Sequence, residues 1–225
     1  VNGPDTIFVE RGGKLIRWHK SFTSAEKLED VIQQIVGKCN RVINESMPIV
    51  DARLKNGDRV HIVLPPVAVN GPIITIRRFP DEPVTMQKLL ELESISEEEA
   101  EFLKHAVRAG YSILIAGGTG SGKTTFLNAL SEYIPEDERV VVIEDTSELQ
   151  IRTVPNLVRL ETRSAGLEDC REITVRDLIR ASLRMRPSRI IVGEVRGGEA
   201  FELLTCLNTG HDGSISTCPA NSTRD

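Results

Sequence analysis

The sequence predicts an α/β fold in which a domain built on a parallel sheet follows a smaller α/β domain. After residue 85, apolar runs alternate with helices of ten or more residues, which is typical of parallel strands covered on both faces. Prolines and glycines cluster around Gly71-Pro72, where helices and central strands are interrupted. The charge changes at the same place. Residues 1–72 carry 10 basic and 8 acidic side chains, whereas residues 73–225 carry 18 and 25.

These features predict an N-terminal α/β domain at residues 1–72, a linker at residues 73–84 and a larger domain at residues 85–225. A chain of 225 residues with 40% hydrophobic side chains can bury a sizeable core without disulfide bonds. Its formal charge of −5 and aromatic content of 4% argue against a dedicated nucleic-acid binder. No apolar run is long enough to span a bilayer, so we expect a cytoplasmic protein. We interpret the scattered cysteines as ordinary half-buried thiols: Cys39, Cys170, Cys206 and Cys218.

The smaller domain is predicted to be a short sheet with at least one helix. Thr23 and Glu26 form the capping-box pattern that starts a helix, and apolar residues then recur at helical spacing as far as Val36. Gly12-Gly13 and Asn56-Gly57 mark turns between strands. The predicted strands cover residues 6–10, 15–18, 49–52, 60–64 and 73–76.

The larger domain is predicted to alternate strands and helices. Ser96 and Glu99 form a second capping box, and the helix that follows stops at Gly110. The predicted strands cover residues 112–116, 140–144, 157–160, 189–193 and 214–217. The predicted helices cover residues 123–133, 174–186 and 198–207. We expect the strands to form one parallel sheet.

A glycine-rich loop in this domain reads Gly117-Gly-Thr-Gly-Ser-Gly-Lys-Thr124, the G-x-x-x-x-G-K-[ST] phosphate-binding pattern. Glycines let successive backbone N–H groups turn toward an anion, and the next helix adds its positive N-terminal end. Lys123 is expected to reach the β- and γ-phosphates of ATP, and the Thr124 hydroxyl is expected to bind Mg²⁺. The predicted nucleotide-binding residues are Gly118, Thr119, Gly120, Ser121, Gly122, Lys123, Thr124 and Thr125.

Acidic residues follow two apolar strands of the predicted sheet. Glu194 comes directly after residues 190–193, and Glu144 and Asp145 end the apolar run that starts at Val140. Because ligands bind at the carboxyl ends of parallel strands, these side chains should face the phosphate loop. A carboxylate there can activate the attacking water or hold Mg²⁺. We predict Lys123, Glu144 and Glu194 as catalytic residues, and Thr124, Asp145 and Glu194 as metal ligands.

Two further patterns allow more than one interpretation. Arg176, Arg180 and Arg184 are spaced to lie along one stripe of a helix. This stripe is either a solvated face or a subunit interface, where arginine is favoured. His211 beside Asp212 has the spacing of a catalytic dyad, but no G-x-S-x-G nucleophile string accompanies it. A polar lining for the γ-phosphate end of the site is the simpler interpretation.

Together these strings resemble the secretion-superfamily ATPases of type II and type IV systems. The branch that the chain resembles most is the CpaF-like one, which powers tight-adherence (Flp) pilus assembly. The resemblance covers nearly the whole chain. Beside the phosphate loop, it rests on residues 51–59, 71–79, 142–149 and 184–196 and on the stretch from Thr209 onward.

The resemblance implies a RecA-like ATPase domain behind an N-terminal domain and a short linker, with ATP bound between the two domains and Mg²⁺ as cofactor. It implies a homohexameric ring at the cytoplasmic face of the inner membrane, which works against a membrane-embedded platform protein. From the negative charge and the few aromatic residues we expect no direct nucleic-acid contact. The resemblance assigns Glu144 and Asp145 to the family's acidic box and Glu194 to its Walker B strand. It also implies arginine fingers from the N-terminal domain or a neighbouring subunit. The first candidates are Arg77 and Arg78, followed by Arg53, Arg59 and Arg196.

The sequence departs from the family pattern at two points. After His211 the family continues to a second histidine in a Thr-x-His-Ala-Asn string, where this chain has Pro219. Proline has no imidazole and no backbone N–H. The chain also stops at Asp225, where the family has a further region, so we expect a fragment.

The favoured function is a Mg²⁺-dependent ATPase motor that powers pilus assembly or protein secretion. The alternative is a nucleotide-binding scaffold subunit with weak or no hydrolysis, because Pro219 replaces the expected histidine. A small-molecule kinase would need a lid and an acceptor site, and no segment fits either role. The negative charge and sparse aromatic residues weigh against a DNA motor.

Overall fold

The computed structural model of the chain describes residues 1–39, 41–78, 82–163, 171–208, 210 and 212–220. The chain divides into two compact units, Val1–Asp81 and Glu82–Asp225. Within the described ranges, no helix is both long enough and apolar enough to cross a membrane. Three cysteines are free thiols, of which Cys206 is buried and Cys39 and Cys218 are half-buried. Cys170 lies outside the described residues.

The described residues of the first unit form two antiparallel sheets and one helix. A two-stranded sheet pairs β1 with β2, and a three-stranded sheet has the order β3-β4-β5. The elements are β1 (Phe8–Arg11), β2 (Lys14–Arg17), α1 (Ala25–Lys38), β3 (Ile49–Arg53), β4 (Arg59–Val63) and β5 (Ile73–Arg77). Residues 73–76 are predicted both as a strand and as the start of the linker, and residues 73–77 form a strand hydrogen-bonded to β4 in this unit.

Helix α1 packs its apolar stripe on one face of the three-stranded sheet. Leu28 and Ile32 are fully buried against Val60 and Ile62, which point to the same face because they are two residues apart in β4. The helix begins one residue later than the predicted capping box. Ser24, in extended conformation, is the N-cap and accepts a hydrogen bond from the Lys27 backbone N–H. The predicted Thr23 cap is wrong because the adjacent serine takes that role.

The second unit is a five-stranded parallel sheet with helices on both faces. Its strand order is β6-β10-β9-β7-β8. The strands are β6 (Ile113–Gly117), β7 (Arg139–Glu144), β8 (Asn156–Glu161), β9 (Arg189–Val192) and β10 (Ile215–Pro219). The helices are α2 (Met86–Glu91), α3 (Glu97–Arg108), α4 (Lys123–Ser131), α5 (Val175–Ser182) and α6 (Glu199–Asn208). The predicted α/β class with a parallel sheet is confirmed. Helix α2 has no counterpart among the predicted helices.

Alternate residues of the central strand β7 face two separate cores. Val140 and Val142 belong to the core formed with α2, α3 and α4. Val141 and Ile143 belong to the core formed with α5 and α6. Such strands are apolar on both faces, which explains why the sequence shows continuous apolar runs rather than alternation.

The ends of the helices are set by local hydrogen bonds. The predicted capping box at Ser96 and Glu99 is present, with both reciprocal hydrogen bonds formed. Thr174 and Asp177 form another at the start of α5. That helix ends at Ser182 rather than at Arg186, since the next residues form a 3₁₀ turn, Leu183–Met185. Arg186 then takes a left-handed conformation, with φ of 53°, which stops the helix.

A buried arginine ties together the segments that lead into the parallel strands. Arg189, at the start of β9, is 2% exposed. Its Nε and Nη2 atoms donate to the two carboxylate oxygens of Glu138, each at 2.8 Å, and Nη2 also donates to the Val107 carbonyl at 3.0 Å. Gly213 lies so close to the guanidinium that a Cβ at this position would stand 2.9 Å from the arginine Cζ. Arg189 thus joins α3, the segment before β7 and the turn before β10.

Candidate active site

The phosphate-loop pattern connects β6 to α4, as the sequence predicts. Gly120 and Gly122 have φ values of 75° and 91°, which a side chain rarely adopts. Gly122 is the N-cap of α4 and has no side chain to satisfy the first N–H groups of the helix. At Gly117 a Cβ would stand 2.6 Å from the Ser121 hydroxyl. These glycines let the chain form a tight loop in front of a helix N-terminus, which is a favourable place for an anion.

Lys123 folds back onto this loop. Its Nζ donates to the carbonyl oxygens of Gly117 and Gly118, at 3.0 Å each. The side chain is 9% exposed, and Nζ lies 3.8 Å from Oε1 of Glu194. The structure therefore brings together the lysine and the strand-end carboxylate that the sequence predicted as neighbours.

Glu194 follows the end of β9 and is held by the loop that continues from it. Its Oε2 accepts a 2.6 Å hydrogen bond from Nε of Arg196, and Nη2 of the same guanidinium also contacts Oε2. The hydrogen bond and charge of Glu194 raise the pKa of Arg196 above its ordinary value. The backbone N–H groups of Arg196 and Gly197 donate to Oε1 of Glu199, at 2.7 and 2.9 Å. Sequence reasoning missed Glu199, because Arg196 is not a capping residue and no local pattern marks this contact.

Glu144 ends β7 and is buried beside the Glu194 strand. Its Oε1 accepts from the backbone N–H groups of Glu148 and Leu149, at 2.7 and 2.8 Å. Nη2 of Arg159 lies 3.7 Å from Oε2. Burial raises the pKa of Glu144 above its ordinary value, although these hydrogen bonds and Arg159 oppose the shift. Glu144 thus shapes the loop after β7 by accepting two of its backbone N–H groups, and its role as a catalytic residue stays a prediction.

The predicted Mg²⁺ ligands are oxygen donors of the kind that this ion prefers. Thr124 lies in the first turn of α4, next to Lys123, and Glu194 approaches that lysine from the end of β9. Asp145 is exposed at the end of β7, and its charge acts on Arg196. No group of three or more His, Cys, Asp or Glu side chains in the described ranges is arranged to hold a metal alone. The side chains of Thr124, Asp145 and Glu194 offer oxygen donors of the right chemistry, and their role as metal ligands stays a prediction.

Pro219 lies beside the phosphate loop. It is the last residue of β10 and is the register partner of Gly117 in β6. Val195 N–H donates to the Thr217 carbonyl on one side of β10, and Ala220 N–H donates to the Gly117 carbonyl on the other. The missing N–H of Pro219 would therefore point toward β9, which has already ended. His211, the other member of the predicted histidine pair, lies outside the described residues.

The arginine stripe of α5 has a partner within the chain. Arg176 Nε and Arg180 Nη2 both donate to Oε1 of Glu202 in α6, the second at 3.0 Å. Burial opposes ionisation of Glu202, but these arginines outweigh it and hold the pKa of Glu202 below its ordinary value. Both arginine side chains remain more than half exposed. Arg176 and Arg180 therefore link α5 to α6, a contact that neither sequence interpretation included. Arg184 is exposed in the 3₁₀ turn after α5, so the prediction that all three arginines share one helix is wrong.

Four of the five candidate finger arginines lie in the first unit, and the fifth, Arg196, lies in the second. Arg77 ends β5, and Arg78 follows it and is exposed. Arg53, Arg59 and Arg77 are direct neighbours across the three strands of the sheet. Nη2 of Arg59 lies 3.6 Å from Oδ1 of Asp51. A catalytic role for Arg77 or Arg78 stays a prediction.

The sequence model of the Type II/IV secretion system protein family matches residues 1–225. A putative conjugal transfer protein of Mycobacterium tuberculosis is 38% identical over 227 residues, which cover 98% of this chain and 64% of that protein. The type IV secretion system protein VirB11 of Brucella suis is 35% identical over 246 residues, covering 99% of this chain and 68% of that protein. The chain thus spans about two thirds of the length of these relatives.

Solved structures agree with the sequence comparison. The Brucella suis VirB11 ATPase, crystallised with sulphate, aligns over 100% of this chain and 74% of its own, with TM-score 0.50 and 30% identity. The pilus retraction motor PilT with bound ADP aligns over 99% of this chain and 62% of its own, with TM-score 0.66 and 21% identity, and shares the fold. The chain therefore belongs to the Type II/IV secretion system protein family and has the RecA-like fold that the sequence predicts.

Proposed function

We propose that this chain is the ATP-hydrolysing part of a motor that powers pilus assembly or protein secretion. The observation that carries the proposal is the meeting of Lys123, in the glycine-rich loop, with Glu194 at the end of β9. The names of the relatives, a VirB11 ATPase of type IV secretion and a putative conjugal transfer protein, support the same class. The CpaF-like pilus branch, a hexameric ring and a membrane platform partner at the cytoplasmic face are carried over from the sequence resemblance.

Each residue of the site has a separate task in this proposal. Lys123 leaves the Gly117 and Gly118 carbonyls and binds the β- and γ-phosphates. Thr124 and Glu194, joined by Asp145, would hold Mg²⁺, which neutralises charge on the phosphate oxygens when bound. Glu144 or Glu194 accepts the proton of the attacking water, and burial favours Glu144 by bringing its pKa closer to neutral pH.

The test is steady-state phosphate release from ATP, with and without Mg²⁺, by the full chain and by Lys123→Ala. We expect Lys123→Ala to lower turnover by at least about 100-fold, because the lysine stabilises charge that develops on the transferred phosphate. Arg108→Ala, at an exposed position of α3, is the matched control for loss of one cation. Undiminished turnover in Lys123→Ala would refute the proposed site.

Subunit contributions are tested by measuring turnover per chain against protein concentration. If Arg77 or Arg78 acts on the site of a neighbouring copy, the rate per chain rises with concentration. The alanine variant of the arginine that acts then loses that rise, and mixing it with Lys123→Ala restores part of the activity. A flat profile would leave arginines acting between copies without support over the concentrations measured.

A second candidate function is a nucleotide-binding scaffold with little hydrolysis. Pro219 favours it, because this residue lies beside Gly117 where the family pattern has an imidazole. Nucleotide affinity and turnover measured on the same preparation separate the two functions, since tight binding without phosphate release favours the scaffold. Pro219→His should then raise turnover, and an unchanged rate would remove Pro219 as the cause.

A further inference from the structure

We propose that Arg196 is a positioning residue that holds Glu194 away from Lys123 and so keeps the lysine available to the phosphates of a nucleotide. This inference rests on the nucleotide site proposed above. It assigns to Arg196 a role toward a carboxylate of its own chain rather than toward the phosphates of a neighbouring site.

The two oxygens of Glu194 have different surroundings. Oε2 is contacted by both Nε and Nη2 of Arg196, with the Nε hydrogen bond at 2.6 Å. Oε1 lies 3.8 Å from Nζ of Lys123, which is beyond hydrogen-bonding distance. The lysine instead donates to two loop carbonyls. Arg196 therefore takes one oxygen of the carboxylate and leaves the other close to the lysine without a direct hydrogen bond to it.

Side-chain exposure determines how strongly Lys123 and Arg196 each attract the Glu194 carboxylate. The Lys123 side chain is 9% exposed and that of Glu194 is 25% exposed, so water screens their attraction poorly. The Arg196 side chain is 67% exposed. Without its guanidinium, Glu194 would close the gap to Lys123 and form a charge-assisted hydrogen bond, which is the stronger kind. A nucleotide would then have to break that pair before its phosphates reached the lysine.

The backbone holds Arg196 in place for this task. Glu199, the first residue of α6, accepts the N–H groups of Arg196 and Gly197. The N–H of Val195 donates to the Thr217 carbonyl in β10. The backbone is thereby held from Val195 to Gly197, on both sides of Arg196.

The experiment measures equilibrium binding of a fluorescent, non-hydrolysable ATP analogue to the full chain. We expect Arg196→Ala to raise Kd by about tenfold, the scale of one charge-assisted hydrogen bond that must be broken. Adding Glu194→Gln to that variant removes the competing charge and should return Kd to within about twofold of Glu194→Gln alone. Arg196→Lys should bind more tightly than Arg196→Ala, and Arg196→Gln repeats the test with a side chain of similar length.

Two results would overturn the inference. One is an unchanged Kd in both Arg196→Ala and Arg196→Gln. The other is a double variant that binds as weakly as Arg196→Ala, which would mean that Arg196 contacts the phosphates directly. Arg108→Ala is the control for loss of a surface arginine, and circular dichroism checks the fold of each variant. The proposed function fails separately, if Lys123→Ala binds the analogue as tightly as the unmodified chain.

Discussion

Replacing Arg189 by alanine should destabilise the second unit more than replacing any exposed arginine by alanine. The change removes three hydrogen bonds, two to Glu138 and one to the Val107 carbonyl, at a position that is 2% exposed. Removing one partner of a buried ion pair costs about 3–5 kcal/mol. The Glu138 side chain is 20% exposed, so water can solvate part of the abandoned carboxylate. We therefore expect about 3 kcal/mol, at the lower end of that range.

The assay is unfolding by urea and by heat, followed by far-ultraviolet circular dichroism. A loss of about 3 kcal/mol corresponds to a fall of roughly 6–12 °C in Tm for a unit of this size. Arg189→Met combined with Glu138→Gln removes both charges and should cost less than Arg189→Ala, because no buried charge is left unpaired. Arg108→Ala serves as the exposed control and should stay within about 0.5 kcal/mol. A loss below about 1 kcal/mol in Arg189→Ala would refute the reasoning.

The remaining predictions concern Glu144, Gly193 and Ser96. Burial raises the pKa of Glu144 in the folded state above its pKa in the unfolded state. The folded state is therefore stabilised when Glu144 is protonated, which is complete below the unfolded-state pKa. This stability is lost as the pH rises through the folded-state pKa. Glu144→Gln should therefore melt higher than the unmodified chain at pH 8, with the difference closing below about pH 4, and equal melting at both pH values would contradict this. In Gly193→Ala the new methyl would stand 3.0 Å from Cγ of Glu144, so we expect a loss of about 1 kcal/mol in urea unfolding, and full stability would count against that contact. Ser96→Ala removes the cap of α3 and should lower the free energy of unfolding by about 1 kcal/mol. Ser96→Asp should keep most of that stability, because aspartate is also a good N-cap, and equal losses in both variants would argue against the cap.

The sequence predicts those parts of the fold that depend on neighbouring residues. The capping box at Ser96 and the alternation of strands and helices depend on spacings of two to four residues, and the structure has both. The cap of α1 is misplaced by one residue, because Thr23 and Ser24 are both good caps and only the backbone conformation selects between them. The strand order β6-β10-β9-β7-β8 depends on pairing between distant segments, which no local pattern encodes.

In the candidate site, too, the sequence predicts what depends on neighbouring residues and not what depends on contacts between distant segments. The loop pattern places Lys123, and the rule that ligands bind at strand ends places Glu194 next to it. The position of Arg196 on Glu194 depends on a loop whose shape is set by Glu199 and β10, so sequence spacing gives no sign of it. The pairing of α5 arginines with Glu202 joins residues 22 and 26 positions apart, which is equally invisible in the sequence.

The strand order also constrains when the phosphate loop can become rigid during synthesis. Strand β6, which leads into the loop, is an edge strand and pairs only with β10, the last strand in the described chain. Until residues 215–219 have left the ribosome, β6 has no partner, while β7, β8 and β9 can already pair with one another. The nascent chain therefore lacks an ordered nucleotide site until β10 inserts between β6 and β9. Nucleotide affinity should consequently appear late and in one step, when β10 closes the sheet.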